Sequence, residues 1–166
     1  MALLDFRSER LRAVAVSTLD ADDRRALLAP EVVRWLPLGF QNLESDKDRL
    51  TLLEGLAQEA ETAALTDEAG QNIGLIFLSH PMTDDAAEGV PVRHLGYLFA
   101  ENAWGRGYAT EMLSGLQALF RVQRVRISGG VMQENAASAR VLLKAGFREG
   151  ARNGEGEATY IWDAMG

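Results

Sequence analysis

The chain has 166 residues, 47% of them hydrophobic and 25% charged, with 17 basic against 24 acidic side chains and a formal net charge of −7. That size fits a single domain over residues 1–166, and the acidic balance argues against a nucleic-acid ligand, which calls for a basic footprint. With no cysteine and two histidines, a disulfide scaffold, a zinc–thiolate centre and a cysteine nucleophile are excluded, and no metal site is expected. No apolar run approaches the ~20 residues of a membrane span, and the charged opening does not fit a signal peptide, so a cytoplasmic protein is expected.

Residues 11–16 read as a first strand. Asp20 to Asp23 supply helix-start residues for 24–29, and Pro30 suits the first turn of a short helix over 31–36, which Pro37 and Gly39 end. Ser45 with Asp48 is a capping-box signal, and Leu50, Leu53, Leu56, Ala57 and Ala60 then fall on one helical face. The period changes next. Residues 62–66, a turn at 67–70 and residues 72–79 predict a β-hairpin. Residues 80–91 read as a surface loop whose acids, Asp84, Asp85 and Glu88, form a solvated charge run or a steering patch for cations. Residues 92–100 have strand character. Beyond Gly107, the residues Ala109, Met112, Leu113, Leu116, Leu119 and Phe120 line one helical stripe. A strand over 124–132, a helix over 135–145 stopped by Gly146, and strands over 147–149 and 158–162 complete the chain. A meander followed by alternating strands and helices predicts a mixed α/β sheet with helices on its faces.

The most informative stretch runs from Leu95 to Met112, where a strand passes through a short loop into Gly105-Arg106-Gly107 and straight into the amphipathic helix. Glycines there allow a tight turn, and the first-turn N–H groups lack helical acceptors and sit at the positive end of the helix dipole. Together they form an anion pocket, most often for phosphate, to which Arg106 can add a charge-assisted bond. A Walker A string is absent. A dinucleotide fingerprint needs a small third residue where Thr110 stands. A glycine turn with no ligand is the plain alternative.

The segment Gly96-Tyr97, Trp104-Gly105-Arg106-Gly107-Tyr108-Ala109-Thr110-Glu111 resembles the acyl-CoA-binding motif of the GNAT N-acetyltransferases, in their RimJ/RimL-like branch. Ser8-Glu9-Arg10-Leu11-Arg12 with Asp22 and Trp35-Leu36-Pro37 resembles the branch's opening, and the block from Glu134 to Phe147 its Asn-x-x-Ser and Lys-x-Gly-Phe elements. The resemblance implies a GNAT fold: a mixed, mostly antiparallel twisted sheet of about six to seven strands flanked by helices. It implies acetyl-CoA as co-substrate and direct acetyl transfer to a primary amine, on a protein N-terminus or a small molecule. It places the pyrophosphate on the backbone amides of Arg106, Gly107, Tyr108, Ala109 and Thr110, with Gly105 in the same loop. Phe99 would bond pantetheine through its backbone. Trp104 stands where the wider family begins this loop with Gln or Arg, and Asn135 would contact the cofactor arm as well as cap its helix. The family habit allows a homodimer.

Direct transfer needs a neutral amine, an oxyanion donor and a proton for the departing thiolate. A backbone N–H on the strand at 97–99 suits the oxyanion. Ser138 is the side-chain candidate for the thiolate, its other reading being a hydroxyl bonded to its own helix. His94 could accept a proton from the amine, or serve the strand only. Glu155 and Glu157, in the closing hairpin, are further candidates for the base. His80, beside Pro81, reads as loop. Trp104 and Tyr108 read as packing the loop against the sheet, with Trp35 and Phe40 lining an acceptor pocket. A GNAT-fold module that binds acyl-CoA without turnover is the alternative function.

Overall fold

The computed structural model describes residues 2–83 and 89–165. The acidic run at Asp84, Asp85 and Glu88 lies outside them. Helix starts follow the local chemistry. Asp20 and Asp23 exchange reciprocal side-chain-to-backbone bonds ahead of α1 (Ala21–Leu27), and Ser45 and Asp48 do the same ahead of α3 (Asp46–Glu59), so each start has two of its backbone donors satisfied. Pro30 opens the short α2 (Pro30–Val33).

The predicted hairpin forms from β2 (Ala60–Thr66) and β3 (Asn72–Ser79), antiparallel with a register shift at Leu65/Thr66. Its turn closes on the Asp67 carboxylate, which accepts from the Ala69 and Gln71 N–H groups. The first strand is shorter than expected, with β1 covering Arg12–Val14. The span read as a loop contains a two-residue strand, β4 (Met82–Thr83), paired with the start of β5 (Pro91–Phe99). Then follow α4 (Tyr108–Phe120), β6 (Arg124–Met132), α5 (Ala136–Lys144), β7 (Arg148–Arg152) and β8 (Glu157–Met165). The two closing strands extend three residues past the lengths the sequence suggested, because pairing with β6 sustains β8 to its end.

The described residues therefore make one sheet of eight strands, against the six to seven expected; β4 is too short to show a period. The order is β1-β2-β3-β5-β6-β8-β7, with β4 beside β5. Each pairing is antiparallel except β5–β6, whose parallel register covers only Val92↔Arg126, Arg93↔Ile127 and His94↔Ser128. Beyond His94 the two strands separate, and that separation positions the site.

Strand alternation sorts the side chains into two cores. Odd residues of β5 and β6, such as Leu95, Phe99, Ile127 and Val131, pack with Met112, Leu113, Leu116 and Phe120 of α4 and Leu142 of α5. The other face packs Leu75, Phe77 and Leu98 against Leu27, Val33 and Leu53 of α1–α3. One charge is buried in the first core. Arg93 is 5% exposed, donates to the Ser79 carbonyl at 2.8 Å, pairs with Glu61 and lies 5.4 Å from the Phe120 ring centroid. A buried cation is tolerated only when paired and hydrogen-bonded in this way. Among the described residues no helix is long and apolar enough to cross a membrane, and no group of His, Asp or Glu is placed to hold a metal ion.

Candidate active site

A cleft of about 770 Å³ opens between the end of β5, the start of α4 and the facing side of α5. At one end lies the glycine loop. Strand β5 ends at Phe99, a single 3-10 turn covers Glu101–Ala103, and the chain passes through Trp104 to Gly107 into α4. Gly105 (φ +71°) and Gly107 (φ +79°) are both left-handed, a conformation that any side chain would strain. Gly107 caps α4 without a side chain of its own. The first-turn N–H groups of that helix are thus left for an external acceptor.

The loop is held from outside by the opening segment of the chain. Glu111, in the first turn of α4, accepts from the Ser8 hydroxyl, from the Arg10 N–H at 2.8 Å and from Arg10 Nε at 2.7 Å. Arg10 in turn donates through Nη1 to the Arg106 carbonyl at 3.0 Å and lies 4.4 Å from the Tyr108 ring centroid. Across a trans peptide the carbonyl and the next N–H point in opposite directions. Holding the Arg106 carbonyl therefore turns the Gly107 N–H away from Arg10. Burial alone would push the Glu111 pKa up, but the hydrogen bonds from Ser8 and Arg10 outweigh it and hold the carboxyl below its usual range. Two motifs a hundred residues apart, Ser8-Glu9-Arg10 and Ala109-Thr110-Glu111, are the two halves of this one clamp.

At the other end the ladder supplies backbone groups. The Ala100 N–H bonds to the Ile73 carbonyl. By the alternation of an antiparallel pair, Leu98 and Ala100 then face β3, whereas Tyr97 and Phe99 turn their N–H and C=O toward the gap left by β6. The Phe99 carbonyl accepts from the Trp104 indole N–H at 2.8 Å.

The Tyr97 side chain crosses the cleft and its hydroxyl lies 3.0 Å from the Ser138 hydroxyl on α5. Burial pushes the Tyr97 phenol above its usual pKa, only partly offset by the bond to Ser138, so the proton stays on oxygen at neutral pH. Asn135 caps α5 by accepting from the Ser138 N–H at 3.2 Å, which fixes the turn that presents Ser138.

Of the residues singled out in the sequence, Phe99, Trp104, Gly105, Gly107, Tyr108, Ala109, Thr110, Asn135 and Ser138 line the cleft. Arg106 does not; its guanidinium sits over Tyr108, 5.3 Å from the ring centroid. His94 does not line it either. It is exposed, on the face of β5 shared with Gly96 and Leu98, and its N–H donates to the Ser79 hydroxyl at 2.7 Å. Tyr108 is 5% exposed and stacks on Phe99, as expected, whereas Trp104 is 48% exposed and is held by its indole N–H instead of by the core. Trp35 reaches the cleft, but Phe40 is buried in the second core, edge-on to Phe77 at 5.7 Å. Three features escaped the sequence reading: the Tyr97 hydroxyl, the Arg10–Glu111 clamp, and the cations Arg140 and Lys144 on the cleft wall. Parity with Phe99 along the strand could have aimed Tyr97 into the cleft; no local pattern marks the clamp.

Behind Tyr97 and Ser138 a smaller gap of about 70 Å³ passes between the separated strands, lined by Gly96, Gly129 and Gly130 and sharing Trp35 and Leu36 with the cleft.

A profile of the acetyltransferase (GNAT) domain matches residues 10–148. No curated protein sequence matches significantly. Among solved structures, an acetyltransferase of the GNAT family from Bacillus anthracis superimposes with a TM-score of 0.69 at 19% identity, covering 94% of this chain and 95% of that one. The ribosomal-protein-S5-alanine acetyltransferase of Vibrio fischeri gives 0.64 at 17% identity, with 96% of each chain covered. The aminoglycoside acetyltransferase AAC(6')-Ib in complex with ribostamycin and coenzyme A gives 0.69 at 21% identity, with 92% of each covered. At these identities the likeness speaks to the fold.

Proposed function

The chain belongs to the GNAT acetyltransferases, and from that premise we propose that it moves the acetyl group of acetyl-CoA directly onto a primary amine, as one domain over residues 1–166. The observation that carries this reading is the continuity of the cleft, from the glycine-fronted start of α4 to the Tyr97–Ser138 hydroxyl pair. The donor set fits the co-substrate. Open N–H groups from Gly107 to Thr110 suit its pyrophosphate, Arg140 and Lys144 add positive charge along the wall, and the backbone of Tyr97 and Phe99 offers a strand edge to the amide-bearing arm.

In this reading the Tyr97 N–H, aimed at the gap, stabilises the charge that develops on the thioester oxygen. The Tyr97 hydroxyl, kept protonated by burial and linked to Ser138, supplies the proton to the departing thiolate. The chain has no cysteine, so no cysteinyl acyl-enzyme intervenes. His94, on the far face of β5, lines neither the cleft nor the gap and would reach an amine only through intervening water. An α-amine, with a pKa of ~7.7–8.0, needs less help to become neutral than a lysine at ~10.4, which favours amino-terminal acceptors. The RimJ/RimL-like motifs around Trp104 and Asn135 favour the same class.

Calorimetric titration with acetyl-CoA, followed by thiol release with amino-terminal peptides and aminoglycosides, tests the proposal. Saturable binding with release on an amine supports it, and absent binding overturns it. Tight binding with no release across both classes would favour an acyl-CoA-binding module in its place.

A further inference from the structure

One carboxylate of the closing hairpin, a candidate base in the sequence, stands over a glycine that lines the gap between β5 and β6. Glu157 opens β8 and pairs with Met132 of β6. Its even-numbered neighbours on β8, Ala158 and Tyr160, enter the core under α4, so alternation turns Glu157 to the opposite face. There the carboxylate lies directly over Gly130. A Cβ at Gly130 would fall 2.8 Å from Glu157 Cδ and 2.9 Å from Oε1. Gly130 forms part of the 70 Å³ gap whose other wall holds Tyr97 and Ser138. Glu157 thus occupies space that only a glycine leaves open, over a residue that itself lines the gap, and its cross-strand partner Met132 lines it too. It is half-buried, and its carboxylate has no hydrogen-bond or ion-pair partner among the described residues. Glu155, its rival in the sequence, is exposed in the preceding turn.

A half-buried carboxylate without a protein partner keeps its oxygens open to the charge-assisted bonds of an incoming cation. The gap beside it is narrow, walled by Gly96, Gly129 and Gly130 and by the apolar Trp35 and Leu36. It suits a methylene stem ending in a charged head. We propose that Glu157 receives the ammonium group of the acceptor, a primary alkylammonium entering from the face opposite the glycine loop, and takes its proton. This rests on the acetyl-transfer reading. The ammonium N–H bond breaks and the proton passes to the Glu157 carboxylate. The freed nitrogen lone pair bonds to the thioester carbon, the carbon–sulfur bond breaks, and the thiolate takes the Tyr97 proton. The amide nitrogen loses its second proton to solvent, which also receives the Glu157 proton and restores that of Tyr97. The sum is one ammonium and one acetyl-CoA giving one amide, one free thiol and one released proton.

The test uses full-length protein carrying ¹³C at its glutamate carboxyls, titrated with n-propylammonium with and without CoA, while calorimetry reads CoA binding separately. The resonance missing from the Glu157→Gln spectrum is expected to shift saturably in the wild type. Glu157→Gln is expected to weaken propylammonium by about tenfold or more, the scale of a lost charge-assisted bond, and Glu157→Asp to restore part of it. Gly130→Ala supplies an independent arm. Its backbone is not left-handed, and the three atoms nearest the added methyl all belong to the movable carboxyl of Glu157. The fold should survive while the carboxylate is displaced and the amine weakened. No shift at Glu157, or equal affinity in Glu157→Gln and wild type, overturns the proposal. Failure of CoA to bind would instead overturn the acetyl-transfer reading, since the amine titration is read without CoA as well.

Discussion

The two ends of the cleft are made of different material. At the glycine loop the groups on offer are peptide N–H donors, and their geometry follows from two left-handed glycines and a helix start within a few consecutive residues. At the gap the groups on offer are side chains, Tyr97 from a strand and Ser138 from a helix 41 residues later, which meet where β5 and β6 part after His94. A site built from backbone is specified by a short string. A site built from side chains is specified by register, and register belongs to the whole sheet.

The sharpest way to break the side-chain end is Tyr97→Phe. It deletes the hydroxyl and keeps the ring contact with Phe99, so kcat for thiol release should fall by roughly 10²–10⁴-fold, the span of general acid catalysis. Calorimetric acetyl-CoA affinity should be unchanged, and an unchanged kcat would reduce the hydroxyl pair to a packing detail. The mirror experiment at the backbone end is Gly107→Val. A side chain at φ +79° costs about 1–3 kcal/mol. Acetyl-CoA affinity should fall roughly 10–100-fold, with kcat at saturation retained, and undiminished binding would show that the loop does not hold the ligand.

A smaller effect comes from outside the loop. Arg10→Ala removes the donor that holds the Arg106 carbonyl while leaving both glycines in place. On a partly exposed surface, a roughly severalfold loss of acetyl-CoA affinity is expected, with kcat unaltered. The smallest effect is on pH dependence. Glu111 and Asp163 both titrate below the usual carboxylate range, Asp163 chiefly because Arg126 donates to it. A depressed folded pKa means stability that is fully present above the unfolded value and lost as pH falls through the folded one. The urea midpoint should therefore stay level from neutral pH down to roughly the ordinary carboxylate pKa of ~4 and decline below it. Glu111→Gln should make that decline shallower.

What was legible in the sequence divides along the same line. The capping box at Ser45, the hairpin turn at Asp67, the stripe on α4 and the Gly146 stop are local, and each stands where the residues place it. The glycine loop was legible for the same reason. The Tyr97 hydroxyl was not, because nothing near it announces Ser138. Phe40 was read toward the cleft and lies in the second core, since a residue on a short 3-10 turn has no period from which to infer its face. The two-residue strand at Met82–Thr83 escaped notice because alternation needs at least four positions to show.

The clamp at Glu111 has a consequence for the order in which the protein is made. Its partners Ser8 and Arg10 leave the ribosome about a hundred residues before Glu111 does. Phe6 likewise waits for Gly115, whose missing side chain leaves room for its ring. During vectorial synthesis the opening segment can meet β1 and β2 early but lacks its contacts with α4 until that helix emerges, so the loop is braced only after most of the polypeptide has been translated.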